Sequence, residues 1–211
     1  LNAACVDPRA ESIDRAYAQR LLTLAHGFPV GARWMLFAFD QAHDDAGSAL
    51  RGATTFHVPN TYAAHIAAQH PDRFAWVASI HPYRDDALVA LNVALAQGAL
   101  AVKWLPSAMN IDVRDRRLDA YYAKLAATRT PLIVHVGEER AVPGAERHDL
   151  GNPLHLRVPL SHGVRVIAAH CASLGQALDL DARRPSPVPA FNLFARLMDE
   201  ASHGGRLLGD V

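Results

Sequence analysis

Residues Pro131–Glu139 read PLIVHVGEE, and Val164–Cys171 read VRVIAAHC. Each is a short, β-branched apolar run with one histidine near its end, His135 in the first and His170 in the second, and each follows a segment with helical spacing. A strand covered by helices reads as a continuous hydrophobic run rather than an alternating one, so both stretches are expected to be buried parallel strands. In sheets of that kind chemistry collects at the carboxyl ends of the strands. Two imidazoles at equivalent ends of successive strands are expected to face one point, and a shared metal ion is the simplest object for them to face.

Outward from this pair, the same unit recurs. Residues 11–26 place Ile13, Ala16, Tyr17, Leu21 and Leu24 at helical spacing, with Ser12 as a cap and Gly27 as a stop. A strand is expected over Arg33–Asp40, a polar loop over His43–Thr55, a helix over Pro59–His70, and a strand over Phe74–Ile80 that leads into His81 and Pro82. Helices over Asp85–Gln97, Asp115–Thr128, Pro153–Ser161 and Pro189–Ser202 then alternate with strands over Leu100–Leu105, Pro131–Val136, Val164–Ala169 and Arg206–Val211. Alternation of this kind is the mark of right-handed βαβ crossovers and a parallel sheet. No linker divides the chain, so residues 1–211 are expected to form a single domain, and the Pro-rich piece Arg183–Pro189 reads as an insertion loop.

The bulk composition narrows the partner. Lys plus Arg and Asp plus Glu are equal at 21 each, so no net field attracts nucleic acid or an acidic membrane. Only Cys5 and Cys171 occur, far apart, which excludes a disulfide framework or a thiolate zinc knuckle. The chain shows no signal peptide and no apolar run of membrane-spanning length, so the expected location is cytoplasmic and the expected partner a small-molecule substrate, with a homodimer left open. It starts at Leu1 without an initiator Met and ends at Val211 inside the last strand, as expected of a portion of a longer product.

Two architectures fit the element order, an open doubly wound sheet and a (β/α)8 TIM barrel. The open nucleotide-binding sheet carries a Gly-rich loop after an early strand, and neither GxGxxG nor GxxxxGK[ST] occurs. A barrel instead predicts polar residues at several strand ends, and Asp40, His81, Lys103, His135, His170 and Asp210 fall there. A barrel takes about 250 residues and eight strands. The expectation is therefore an α/β barrel, incomplete in these 211 residues, with the first and last strands missing.

Among these residues His135 and His170 are candidate metal ligands, and Glu138 or Glu139 is close enough in sequence to orient His135. Lys103 interrupts the buried run LAVKWLP. It must aim at a cavity, meet an anion or lose its charge, which leaves open a carboxylated bridge between two metals, a clamp for a substrate carboxylate, a Schiff-base nucleophile, or a side chain snorkelling past the strand end. His81 is a candidate substrate contact or a structural hydrogen-bonding residue. Asp40 and Asp210 read as capping or loop aspartates. Cys171, by strand alternation after His170, is expected to point away from the site and pack.

His81 in SIHPY, Lys103 in AVKWLP, His135 in LIVHVG and His170 in VIAAHC, in that order, resemble the metal-dependent amidohydrolases, specifically the branch grouped with aminocarboxymuconate-semialdehyde decarboxylase. The resemblance runs from about Arg33 to Val211. It implies a barrel in which an HxH pair on the first strand, one histidine each on the fifth and sixth, and an aspartate on the eighth hold one or two divalent metals, zinc above all. Counted from Arg33 as the second strand, His135 falls on the fifth and His170 on the sixth, while Lys103 falls on the fourth, where relatives with two metals carry a carboxylated lysine. No HxH occurs, and Asp210 would lie on the seventh strand. The implied activity is attack by metal-activated water on an amide, ester or lactone, with non-oxidative decarboxylation next. His170 and Lys103 would be catalytic, His135, His170 and Lys103 would hold metal, and His81 and Lys103 would contact substrate. Two readings outside the resemblance remain, a metal-free Schiff-base lyase through Lys103 and an inactive barrel serving as a binding surface.

Overall fold

The computed structural model describes residues 5–143 and 147–210. Six strands, β1 (Trp34–Phe37), β2 (Phe74–Val77), β3 (Val102–Trp104), β4 (Leu132–His135), β5 (Val166–Ala169) and the later β8 (Leu207–Gly209), run parallel in consecutive order. The link between β2 and β3 is a parallel bridge from Ala78 to Val102, closed by the Lys103 N–H donating to the Ala78 carbonyl at 2.7 Å. Each strand joins the one before it. An open doubly wound sheet reverses its strand order at a switch point, and none of these strands does so, which leaves the singly wound barrel arrangement.

Helices return the chain between strands: α1 (Ile13–His26), α2 (Asn60–Gln69), α3 (Ala87–Ala96), the single turn α4 (Pro106–Met109), α5 (Asp119–Ala127), α6 (Arg157–Ser161) and α7 (Ala190–Met198). Local chemistry sets their ends. The Ser12 hydroxyl accepts the Arg15 N–H at 3.3 Å to open α1, and the Gly27 N–H bonds back to Leu24 at its close. In α7, Ala190, Leu193, Phe194 and Leu197 are buried at the spacing of one helix face.

Alternation along each strand sorts residues onto two faces. Val102, Trp104, Leu132, Val134, Val166 and Ala168 are fully buried beneath the helices and form the main core. The opposite face carries a smaller cluster of Val77, Ala101, Ile133 and Ala169, with Ile167 against it. The register aligns Lys103 with Ile133, Ile133 with Ile167 and Ile167 with Leu208, so Lys103 belongs to this inner face, as does His135 one pleat beyond Ile133.

Several local expectations differ from the structure. The strands are three or four residues long, shorter than the hydrophobic runs that contain them, because apolar character continues into the loops after pairing stops. The segment expected as one helix over Pro153–Ser161 is a 3-10 turn, Pro153–Leu156, followed by α6. The Pro-rich insertion is not wholly loop: β7 (Pro187–Pro189) pairs antiparallel with β6 (Gln176–Leu178). A strand with two prolines lacks two donors and is tolerated at an edge, as in this two-stranded hairpin. Val211, expected in the last strand, lies outside the described residues.

Trp104 ties the two ends of this framework together. It is fully buried, its ring lies 5.2 Å from that of Tyr121, and its Nε1–H donates to the Ile80 carbonyl at 2.9 Å. Trp104→Ala is expected to cost about 3–5 kcal/mol in urea unfolding, whereas Val93→Ala, on the exposed face of α3, stays within about 0.5 kcal/mol of the parent.

Candidate functional site

Strand β4 ends at His135, and its register partner on β5 is Ala169, not His170. Had β5 continued, His170 would have followed Ala168 toward the helices. It does not, because the strand ends at Ala169 and the backbone turns left-handed through His170, Cys171 and Ala172, at φ of 54°, 52° and 51°. That turn swings the His170 ring to the inner side, where its centre lies 5.8 Å from the His135 ring. Non-glycine residues in this region cost on the order of 1–3 kcal/mol each. The turn is held by the His170 N–H donating to the Asp210 carboxylate, the Cys171 thiol donating to the Asp210 carbonyl at 3.2 Å, and the Ser173 N–H donating to the His170 carbonyl at 2.9 Å. Gly209 leaves room for it: a Cβ there would lie 2.5 Å from Cys171 Sγ.

Both rings line a cavity of about 660 Å³, together with Val136, Glu138, Glu139, Arg140, Ala141, Cys171, Ser173, Leu174 and Phe191. The histidines differ in exposure, with 11% of the His135 side chain exposed against 67% of His170. Burial depresses the pKa of His135, and the Lys103 charge works in the same direction against the opposing Glu139 carboxylate. Glu139 Oε2 lies 3.3 Å from His135 Nδ1, while the Glu138 carbonyl lies 3.4 Å from Nε2. Of the two expected helpers, Glu138 meets the ring through its main-chain carbonyl while its side chain turns to Arg140 at 3.0 Å, and Glu139 stands beside the ring as a neighbouring charge. The loop carrying them is pinned where the Gly137 N–H meets the Gly151 carbonyl at 2.8 Å and the Glu138 N–H meets the Leu174 carbonyl at 3.0 Å.

Lys103 lies on the inner face one pleat below His135. Burial pulls its pKa down to about 8, with the Asp210 and Glu139 carboxylates opposing. Asp210, read from sequence as a capping or loop residue, approaches the site: its Oδ1 lies 3.9 Å from His170 Nδ1. Cys171 packs against the main core as expected, and because alternation ends with the strand the turn also brings it to the cavity wall. Arg140 and Phe191 escaped the sequence reading, although an aromatic on the outward face of α7, 48% exposed, was a usable signal.

His81 does not join the group. It is fully buried, its Nε2–H donates to the Met109 carbonyl at 2.7 Å, its Nδ1 accepts the Tyr83 N–H at 3.2 Å, and its own N–H reaches the Asp40 carboxylate at 2.8 Å. With both ring nitrogens taken, its contacts are those of the structural hydrogen-bonding residue, one of the two readings held for it, and they leave no ring atom for a substrate. Asp40 also accepts from Arg84 at 3.0 Å, so it clamps the loops after β1 and β2.

The donor set agrees in kind with a divalent metal. Two imidazoles on one tetrahedral ion, with bonds of about 2.1 Å, bring their ring centres to about 5.2 Å, and the rings here lie 5.8 Å apart. Among the described residues no three His, Cys, Asp or Glu side chains gather to hold an ion.

The buried histidines make stability acid-sensitive. Burial lowers the pKa of both His81 and His155 to about 4 from 6.5, so between those values the unfolded chain holds the proton that the fold refuses. Stability contributed by each ring is complete above pH 6.5 and declines as pH falls, by about 1.4 kcal/mol per pH unit and about 3 kcal/mol in all. Urea titrations between pH 7 and 4.5 are expected to show this decline, with a slope shallower by about one proton in His81→Asn. An unchanged slope in that variant would contradict the assignment.

Comparison with known proteins followed the same lines. The family model described as amidohydrolase matches residues 14–197. An uncharacterised TIM-barrel protein of Bordetella bronchiseptica superimposes with a TM-score of 0.57 at 20% identity, covering 81% of this chain and 57% of its own. A candidate 2-pyrone-4,6-dicarboxylic acid hydrolase of Pseudomonas putida superimposes with a TM-score of 0.52 at 14% identity, covering 86% of this chain and 68% of its own. No curated protein matches the chain. At these identities the two structures speak to the fold alone, and it is the barrel fold.

Proposed function

The chain belongs to the amidohydrolase family, and from that premise we propose that it is a metal-dependent hydrolase acting through activated water on an amide, ester or lactone of a small organic acid. The observation that carries the reading is the His135–His170 pair, brought to 5.8 Å at the carboxyl ends of adjacent parallel strands and opening on one cavity. The ordered set His81, Lys103, His135 and His170 supports placing it in the branch grouped with aminocarboxymuconate-semialdehyde decarboxylase.

His135 and His170 would hold the ion, for which zinc suits imidazole ligands. The chemistry such an ion supplies when bound is a water acidified to a pKa of about 7. Burial favours the neutral form of His135, the form that carries a ring lone pair. Asp210 fixes the backbone that presents His170. Lys103 supplies positive charge behind the pair, suited to a substrate carboxylate or, if carboxylated, to a second ion. Phe191, Leu174 and Val136 give the cavity an apolar wall against which the body of an organic acid packs.

One observation favours a second reading: a lysine whose pKa is lowered to about 8 by burial is suited to Schiff-base chemistry. The two readings separate cleanly. The hydrolase is expected to copurify with a divalent metal, to lose hydrolysis of aryl esters and lactones in a chelator, and to fall by about 100-fold or more in His135→Ala and His170→Ala. Less than about a tenth of an equivalent of metal, with His135→Ala indifferent, would overturn it. Borohydride trapping of a carbonyl substrate on Lys103, with chelator without effect, would establish the lyase in its place.

A further inference from the structure

The β6–β7 hairpin pairs with itself as a separate two-stranded sheet, and Pro187 and Pro189 bring no N–H donors to it. Ala177 packs partly against the main core, while Leu178 and Leu180 stay half exposed. Charge supplies the stronger hold. Asp179 and Asp181 lie on the loop between the two strands, and an arginine from each of two helices reaches them. Arg196 of α7 grips Asp179 with two parallel bonds of 2.9 and 2.7 Å and meets Asp181 at 3.1 Å. Arg157, which opens α6, grips Asp181 at 2.7 and 2.6 Å and bonds Glu200 at 2.5 Å. Paired bonds of this kind fix orientation as well as attract.

Beneath the hairpin lies a second cavity of about 340 Å³, which shares no lining residue with that of the histidine pair. Ala177, Leu178, Leu180 and Pro187 line it from the hairpin, and His155 lines it from the turn before α6. The His155 ring is buried, and its Nδ1 has no protein partner. We propose that Arg157 and Arg196 form an ionic latch, and that its release lifts the β6–β7 hairpin and opens the cavity over His155 to small solutes. The claim goes beyond the hydrolase reading and holds whatever the barrel catalyses.

Three features carry it. Asp179 and Asp181 repel each other, so losing an arginine turns attraction into repulsion rather than merely deleting a bond. The closed hairpin leaves His155 Nδ1 unbonded, a cost that ends when water reaches the ring. The four latch side chains are between 18% and 41% exposed, so dissolved salt screens them.

Hydrogen–deuterium exchange of the whole chain and carbethoxylation of His155 by diethyl pyrocarbonate, both read by mass spectrometry, test the latch. A two-stranded hairpin is marginal by itself, so lifting also loosens internal bonds such as the one from the Asp179 N–H to the Ser186 carbonyl. In Arg196→Gln and in Arg157→Gln, exchange over residues 176–189 is expected to quicken by about 10-fold or more. His155 labelling is expected to quicken with it, while β4 and β5 keep the parent's protection. The parent in about 1 M NaCl, where the screening length falls to about 3 Å, is expected to move the same way, which keeps the test open should a variant fold poorly. Equal exchange and labelling in parent and variants overturns the proposal, as does a loosened hairpin with His155 still shielded. A parent hairpin indifferent to salt overturns it too. So does loss of protection in β4 and β5 along with the hairpin, since the arginines would then be general supports of the fold.

Discussion

Register between β4 and β5 governs everything at the carboxyl end of this sheet. Parallel strands in fixed alignment put Lys103, Ile133 and Ile167 on one face and Val102, Leu132 and Val166 on the other, with no intermediate choice, because side chains alternate with a period of two. A shift by one residue would drive Lys103 into the helices' core and bring Trp104 inward, exchanging a fully buried indole for an ammonium. The hydrophobic core on the helical side therefore specifies the polar arrangement on the other, and the inner face inherits its chemistry from packing it does not touch.

That inner face concentrates buried charge. Burial lowers the pKa of Lys103, and the carboxylates of half-exposed Asp210 and buried Glu139 oppose it, so the cost of taking this ammonium out of water is offset by its neighbours. Such a group is stable only as a set. Removing one member strands a charge in a poorly hydrated place, so substitutions here act on neighbours as much as on themselves.

Much of this was legible in the chain alone. The β-branched runs ending in His135 and His170, the lysine inside LAVKWLP and the absence of a Gly-rich phosphate loop were sufficient for a parallel barrel-type sheet with a histidine pair at its carboxyl end. The pattern could not reveal where pairing stops, since apolar residues such as Val136 continue past β4 into a loop. The expectation that Cys171 faces away from the cavity has that origin: alternation was carried two residues beyond the strand, to Cys171. His81 stayed open between two readings for a different reason. A histidine after a strand looks the same in sequence whether its ring meets a ligand or, as here, the Met109 carbonyl and the Tyr83 N–H, both distant along the chain or dependent on a turn. The β6–β7 hairpin was hidden because its two prolines argue against strand until a short edge pairing is seen.

The two histidines owe their positions to unlike causes. His135 belongs to the sheet and moves only if the sheet does, whereas His170 stands on three left-handed residues and a carboxylate latch. The gap between the rings is thus a dial set by a turn rather than a dimension of the barrel. Variation at Cys171 and Ala172 would reset that gap while the strands stayed where they are, so the spacing of the two rings can change without any shift in the sheet's register.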